Sequence, residues 1–142
     1  MKDETSPVSE DEVVVRLIWR DYYRPAEEQP VLNRAFLPRP NELSGISVFR
    51  LACLADPTNA LRVMVPEKRC GYAIGFVSVA DLTALGLTVK PARVEEVPGH
   101  SLLPELNCTL AANDAEKCRD LQHSLALLAA KHLIPPADTK LT

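Results

Sequence analysis

A chain of 142 residues, 46% hydrophobic and 25% charged, is long enough to form one domain with its own core, and its composition is neither disordered nor fibrous. The formal charge of −3 is uneven: residues 1–12 hold Asp3, Glu4, Glu10, Asp11 and Glu12 against Lys2 alone, while the remainder carries 15 basic and 14 acidic side chains. A body so near neutrality has no broad positive field for a phosphate backbone, which disfavours bulk nucleic-acid binding.

Residues 1–11 are polar and acidic and are expected to form a disordered tail ahead of a single globular domain over 12–135. Residues 136–142 read as a flexible C-terminal tail. The acidic start of the chain lacks the apolar stretch of a secretory signal. Val13 to Trp19 is dense in β-branched residues and predicts a strand. From Asp21 to Ser44, Pro25, Pro30, Pro38 and Pro40 break any regular element, leaving a long connection with a short strand at Val31 to Leu37. Ile46 to Arg50 follows Gly45 and alternates as a half-buried strand or opens a short helix through Leu54. In the strand reading Ser47 and Arg50 point to opposite faces.

Asp56-Pro57 opens a short helix to Val65. Tyr72 to Val77 is a nearly continuous apolar run, the pattern of a strand covered on both faces. Ser78 and Asp81 then form a capping pattern for a helix that Gly86 closes. Val89 to Val97 and Ser101 to Leu106 predict strands separated by Pro98-Gly99. From Asn113 to Ile134, Cys118, Leu121, Leu125, Leu128 and His132 recur at helical spacing, with Asn113 and Glu116 placed as a capping box and Pro135-Pro136 as the stop. The resulting expectation is an α+β domain: a small mixed sheet of about four to six short strands with the C-terminal amphipathic helix packed on one face.

Cys53, Cys70, Cys108 and Cys118 lie 17, 38 and 10 positions apart, without a C-x-x-C pair or a zinc spacing. They read as buried thiols of a reducing compartment, and the chain as cytoplasmic. No apolar run reaches the roughly 20 residues of a membrane span. No metal or other cofactor is expected.

His100 follows Pro98-Gly99 at a turn and is the titratable group best placed to face a cleft. His123 falls opposite the helix stripe and His132 on it. Ser47 and Arg50 offer a hydroxyl and a guanidinium near Gly45, without the glycines of a phosphate-cradling loop. Arg34 and Arg39 flank Phe36 and Leu37 in the proline-rich loop, a basic and aromatic surface of the kind that meets a partner. Glu27-Glu28 and Glu95-Glu96 are adjacent in sequence, point apart in an extended chain, and read as solvated.

The order of segments resembles a group of small uncharacterised prokaryotic proteins that share an early arginine-containing strand, a phenylalanine before a Ser-Val segment, and a late histidine after Pro-Gly or Pro-Ala. Here these are Arg16 or Arg20, Phe36, Ser47 with Val48, and His100, within residues 13–106. The resemblance carries no activity. It implies that an arginine, a serine and a histidine from separate strands converge on one pocket.

Read without structure, the absence of a metal set, a nucleotide loop or an activated nucleophile favours a non-enzymatic bacterial accessory or adaptor protein. It would bind a protein partner through Arg34, Phe36, Leu37, Arg39 and Phe49. The alternative is a small enzyme acting on nucleotide or RNA, with Arg50 or Arg20 binding phosphate, Ser47 orienting and His100 as general acid–base. Direct nucleic-acid binding through Arg34, Arg39 and Arg62 ranks third.

Overall fold

The computed structural model describes residues 1–137. Its centre is the β-branched segment Val13–Trp19 (β1), which alternates between two cores: Val14 and Ile18 face one side, Val15, Leu17 and Trp19 the other. β1 pairs along its whole length with Tyr72–Ser78 (β3), from Val13 opposite Ser78 to Trp19 opposite Tyr72. On its other edge it pairs with Ile46–Arg50 (β2) at Val14–Arg50 and Val15–Phe49. Lys90–Pro91 (β4), His100–Leu103 (β5) and Leu133–Ile134 (β6) complete a six-stranded sheet in the order β4-β5-β2-β1-β3-β6.

Every pairing in this sheet is antiparallel, so the sheet is not mixed as expected. The continuous apolar run in β3 predicts a strand covered on both faces, a pattern more usual in parallel sheets. Both faces are indeed covered, but by different means. Ala115–Lys131 (α3) packs on the face that carries Val14, Ile18, Ala73 and Val77. A 3-10 helix, Pro57–Val63, lies over the opposite face, where Ala60 and Leu61 meet Leu17, Phe49 and Ile74.

The approach of α3 to the sheet depends on small residues. Its buried positions are Cys118, Gln122, Leu125, Ala126 and Ala129, a face rotated from the expected leucine stripe. Leu121 and Leu128 are only partly buried, and His132 is exposed. Gly75 explains the rotation: a Cβ there would sit 2.9 Å from both Ala129 Cβ and Ile18 Cδ1, so helix and strand touch where neither has bulk. The cap also shifts by one residue. Asp114 accepts from Lys117 N–H at 3.2 Å, and Asn107 caps a separate short helix, Cys108–Asn113 (α2), at Leu110 N–H.

Val79–Ala84 (α1) starts at the predicted Ser78 cap, which accepts from Asp81 N–H at 3.1 Å, and ends before Gly86 at φ 80°. In the proline-rich connection the segment predicted as a strand is a 3-10 turn, Asn33–Phe36, whose Ala35 and Phe36 enter the core beneath α3. A single bridge, Tyr23 to Val31, holds the base of this loop. The helix read from Pro57 to Val65 is the 3-10 segment already described, capped by Asp56, and Pro66–Gly71 forms another. No helix among the described residues is long and apolar enough to cross a membrane.

Residues 2–9, read as part of a tail, lie against the domain. Lys2 N–H donates to the Ala52 carbonyl at 2.7 Å, and the carbonyls of Glu4, Ser6 and Pro7 accept from Arg50 at 3.3, 2.8 and 3.3 Å. A fully buried guanidinium needs its five donors met, and the bare backbone of this segment supplies part of the shell. Residues 138–142, the end of the expected C-terminal tail, lie outside the described residues.

Candidate functional site

Ser47 sits where β1 and β2 part. Its backbone groups, which a longer β1–β2 ladder would bind, meet side chains instead: Ser47 N–H donates to Glu42 Oε2 at 2.7 Å and Ser47 O accepts from Arg16 Nη1 at 2.9 Å. Arg16 and Glu42 pair directly at 2.9 Å, both nearly buried, and Arg16 Nε donates to the Ala35 carbonyl at 3.0 Å. Glu42 also accepts from Arg39 N–H at 3.0 Å. Burial alone would raise the Glu42 carboxyl, but the Arg16 charge and the bonds from Arg16, Ser47 and Arg39 outweigh it and hold it below its ordinary range. This ion pair therefore acts as a plug that wedges two strands apart.

The register of β2 and β5 places Phe49 opposite His100 and Ser47 opposite Leu102, so Ser47, Phe49 and His100 share one face. Gly99, at φ 83°, makes the turn into β5 that aims the imidazole there. His100 Nδ1 lies 2.5 Å from the Ala92 carbonyl and Nε2 lies 3.1 Å from Ser47 Oγ. A carbonyl only accepts, so Nδ1 carries a hydrogen, and in that tautomer Nε2 is the nitrogen that accepts from the Ser47 hydroxyl. The Phe49 ring meets the imidazole edge-on, with centroids 5.3 Å apart, and fixes its plane.

This pair opens into a hollow of about 210 Å³ with a polar wall of Arg16, Arg39, Asn41, Glu42, Ser47 and His100. Leu17, Phe49, Val63 and Met64 form the apolar side. Arg16 is fully engaged and positions the serine. Arg39 is different: its guanidinium makes no hydrogen bond or ion pair among the described residues, although it lines the hollow. The site thus combines an oriented hydroxyl, a proton acceptor and an uncommitted cation, which is the equipment to hold an anion and move a proton beside it.

A larger hollow of about 600 Å³ lies where the end of α3 meets the start of β1 and the end of β3. Its polar lining is Ser78, Asp81, Lys131 and His132; the Ser78 hydroxyl is taken by the cap of α1, and among the described residues no hydrogen bond or ion pair joins these side chains to one another. Among the described residues no group of three or more His, Cys, Asp or Glu side chains is arranged to hold a metal ion.

Of the triad considered from sequence, the structure joins His100 and Ser47 and excludes Arg50. Arg50 projects from the opposite face of β2, is 1% exposed, and pairs with Glu12 through Nε to Oε1 at 2.8 Å and Nη2 to Oε2 at 2.9 Å. Arg20 lies over the Trp19 ring, 4.8 Å from its centroid. Of the proposed partner-binding residues, Phe36 and Phe49 are 1% and 2% exposed and belong to the two cores. Arg34 and Leu37 are exposed, and Arg39 is half-buried at the hollow. Arg62 is exposed. His123 is exposed near Asn33, as its helix position predicted. Cys53 and Cys118 are buried, and burial raises both thiols, whereas Cys70, expected to be buried, is exposed and Cys108 is partly so.

Glu42 was the residue that sequence reasoning missed. It lies among prolines with no periodic signal, and its role depends on the 26-residue separation from Arg16 closing in space. Comparison with protein-family models, with curated proteins and with solved structures found no match.

Proposed function

We propose that this domain is a small enzyme that binds a phosphate-bearing ligand in the Ser47–His100 hollow and catalyses a proton transfer there. In this reading the Arg39 guanidinium receives the phosphate, the Ser47 hydroxyl orients it, and His100 Nε2 is the general acid–base. The observation that carries the reading is the imidazole anchored at Nδ1 by a carbonyl while Nε2 faces a serine hydroxyl inside a hollow lined by an unpaired arginine. That arrangement keeps one tautomer and one ring orientation in readiness, which acid–base work requires and packing alone does not.

Burial of Phe36 and Phe49 weighs against the adaptor reading, because the apolar patch it required is inside the protein. Arg39 takes the phosphate-binding role that Arg50, locked to Glu12, is unable to fill. The test is turnover of a panel of small phosphate esters by the full chain. Wild-type protein is expected to convert at least one, and His100→Ala to lose about 10²–10⁴-fold in rate with an unchanged melting temperature. An inert wild type, or a His100→Ala variant of equal activity, would overturn the assignment.

A further inference from the structure

Arg39 faces a second hollow. Trp19, Tyr22, Tyr72 and Lys68 join it around a space of about 200 Å³. The aromatic wall follows from strand pairing: Trp19 ends β1 directly opposite Tyr72, which begins β3, and the two rings meet edge-on with centroids 4.9 Å apart. Gly71 makes room for this, since a Cβ there would come within 2.5 Å of the indole ring. Tyr22 enters from the 3-10 turn Arg20–Tyr22 that follows β1, and Lys68 from the one that precedes β3. Trp19 and Tyr22 are both partly exposed, and Lys68 is exposed. Trp19 and Tyr22 each pack one side against a core, and Arg20 lies over the indole, yet both rings keep part of their surface open beside Arg39 and Lys68, which is the chemistry that stacks a planar base.

We propose that the ligand is a nucleoside phosphate, with its phosphate in the Ser47–His100 hollow and its base in the Trp19–Tyr22–Tyr72 hollow. Arg39, common to both walls, bridges them at the level of the sugar and phosphate. This rests on the first hollow being the phosphate site. A free nucleotide fits better than a polymer: hollows of about 210 and 200 Å³ are together on the scale of a small-molecule site, and the near-neutral body has no broad positive field to hold a long polyanion.

Trp19 is the sole tryptophan, so its fluorescence reports this hollow alone. The test titrates the full chain with adenosine 5′-monophosphate, cytidine 5′-monophosphate and ribose 5-phosphate, following fluorescence and heat. Both nucleotides should quench Trp19 and bind at least about tenfold more tightly than ribose 5-phosphate, the increment that stacking one base supplies. Tyr22→Ala, and separately Trp19→Leu followed by heat alone, should bring nucleotide affinity towards that of ribose 5-phosphate. Equal affinity of all three ligands would overturn the base hollow and leave the phosphate site standing. Failure of all three to bind would overturn both. Tighter nucleotide binding that is indifferent to both substitutions would place the base elsewhere and also overturn the inference.

Discussion

The Ser47 hydroxyl lies 3.1 Å from His100 Nε2 although 53 positions separate the two residues. Their meeting is a consequence of register: with Phe49 opposite His100, serine and imidazole fall on one face, and a slip of one residue would send the imidazole to the α3 side. What holds the serine end is the Arg16–Glu42 plug, and what holds the histidine end is the turn at Gly99 with the Ala92 carbonyl.

Glu42→Gln should destabilise the domain by about 3–5 kcal/mol, because it leaves the buried Arg16 charge without its counter-ion. Urea denaturation of the two proteins checks this. Phosphate-ester turnover should fall as well, since Ser47 loses the carboxylate that fixes its backbone N–H.

Acid should act through Glu12. Burial would raise its carboxyl, but bonds from Arg50 and from Ser9 N–H, together with the Arg50 charge, bring it from 4.5 down to about 2. The folded state therefore binds fewer protons than the unfolded state between these values. The pair's stabilisation is complete above the unfolded value and is lost as pH falls through the folded one. Urea midpoints measured from pH 6 to pH 2 should decline across this window, and Glu12→Gln should be less stable at pH 6 and show a shallower decline.

Gly75→Ala should cost about 1–3 kcal/mol, since the new methyl would meet Ala129 Cβ and Ile18 Cδ1 at 2.9 Å and force α3 away from the sheet. Replacing the exposed Leu127 by alanine, on the outer side of the same helix, should change the denaturation midpoint little.

Phe36→Ala is expected to behave as a core truncation, losing about 3–5 kcal/mol, because the ring is 1% exposed beneath α3. Leu37→Ala, one residue on and 40% exposed, should be nearly neutral by the same measurement. A Phe36 variant of wild-type stability would restore the ring to the surface role read from sequence.

Local signals were legible where one element decides them. The β-branched run of β1, the Ser78 cap, the glycine after α1 and the C-terminal helix all follow from neighbours within a few positions. The opposite faces of Ser47 and Arg50 followed from strand geometry alone, which is why they do not share a site. Strand direction and helix rotation were not legible, because Gly75 against Ala129 is a contact between distant segments. Arg16 was readable as a strand arginine, but its partner Glu42 and the free guanidinium of Arg39 come from a loop whose path no periodicity encodes. Phe36 was misplaced for the same reason: proline-rich composition suggests an exposed loop, and a 3-10 turn within it returns two residues to the core.

The central claim is that the Ser47–His100 hollow receives a phosphate, and imidazole NMR during titration with inorganic phosphate tests it most directly. The chain has three histidines, so His123 and His132, both exposed, serve as internal references. At constant pH and ionic strength the account predicts a saturable shift of the His100 signals alone, abolished by Arg39→Ala. Signals of His100 that stay fixed, or that drift in step with those of His123 and His132 without saturation, would contradict it.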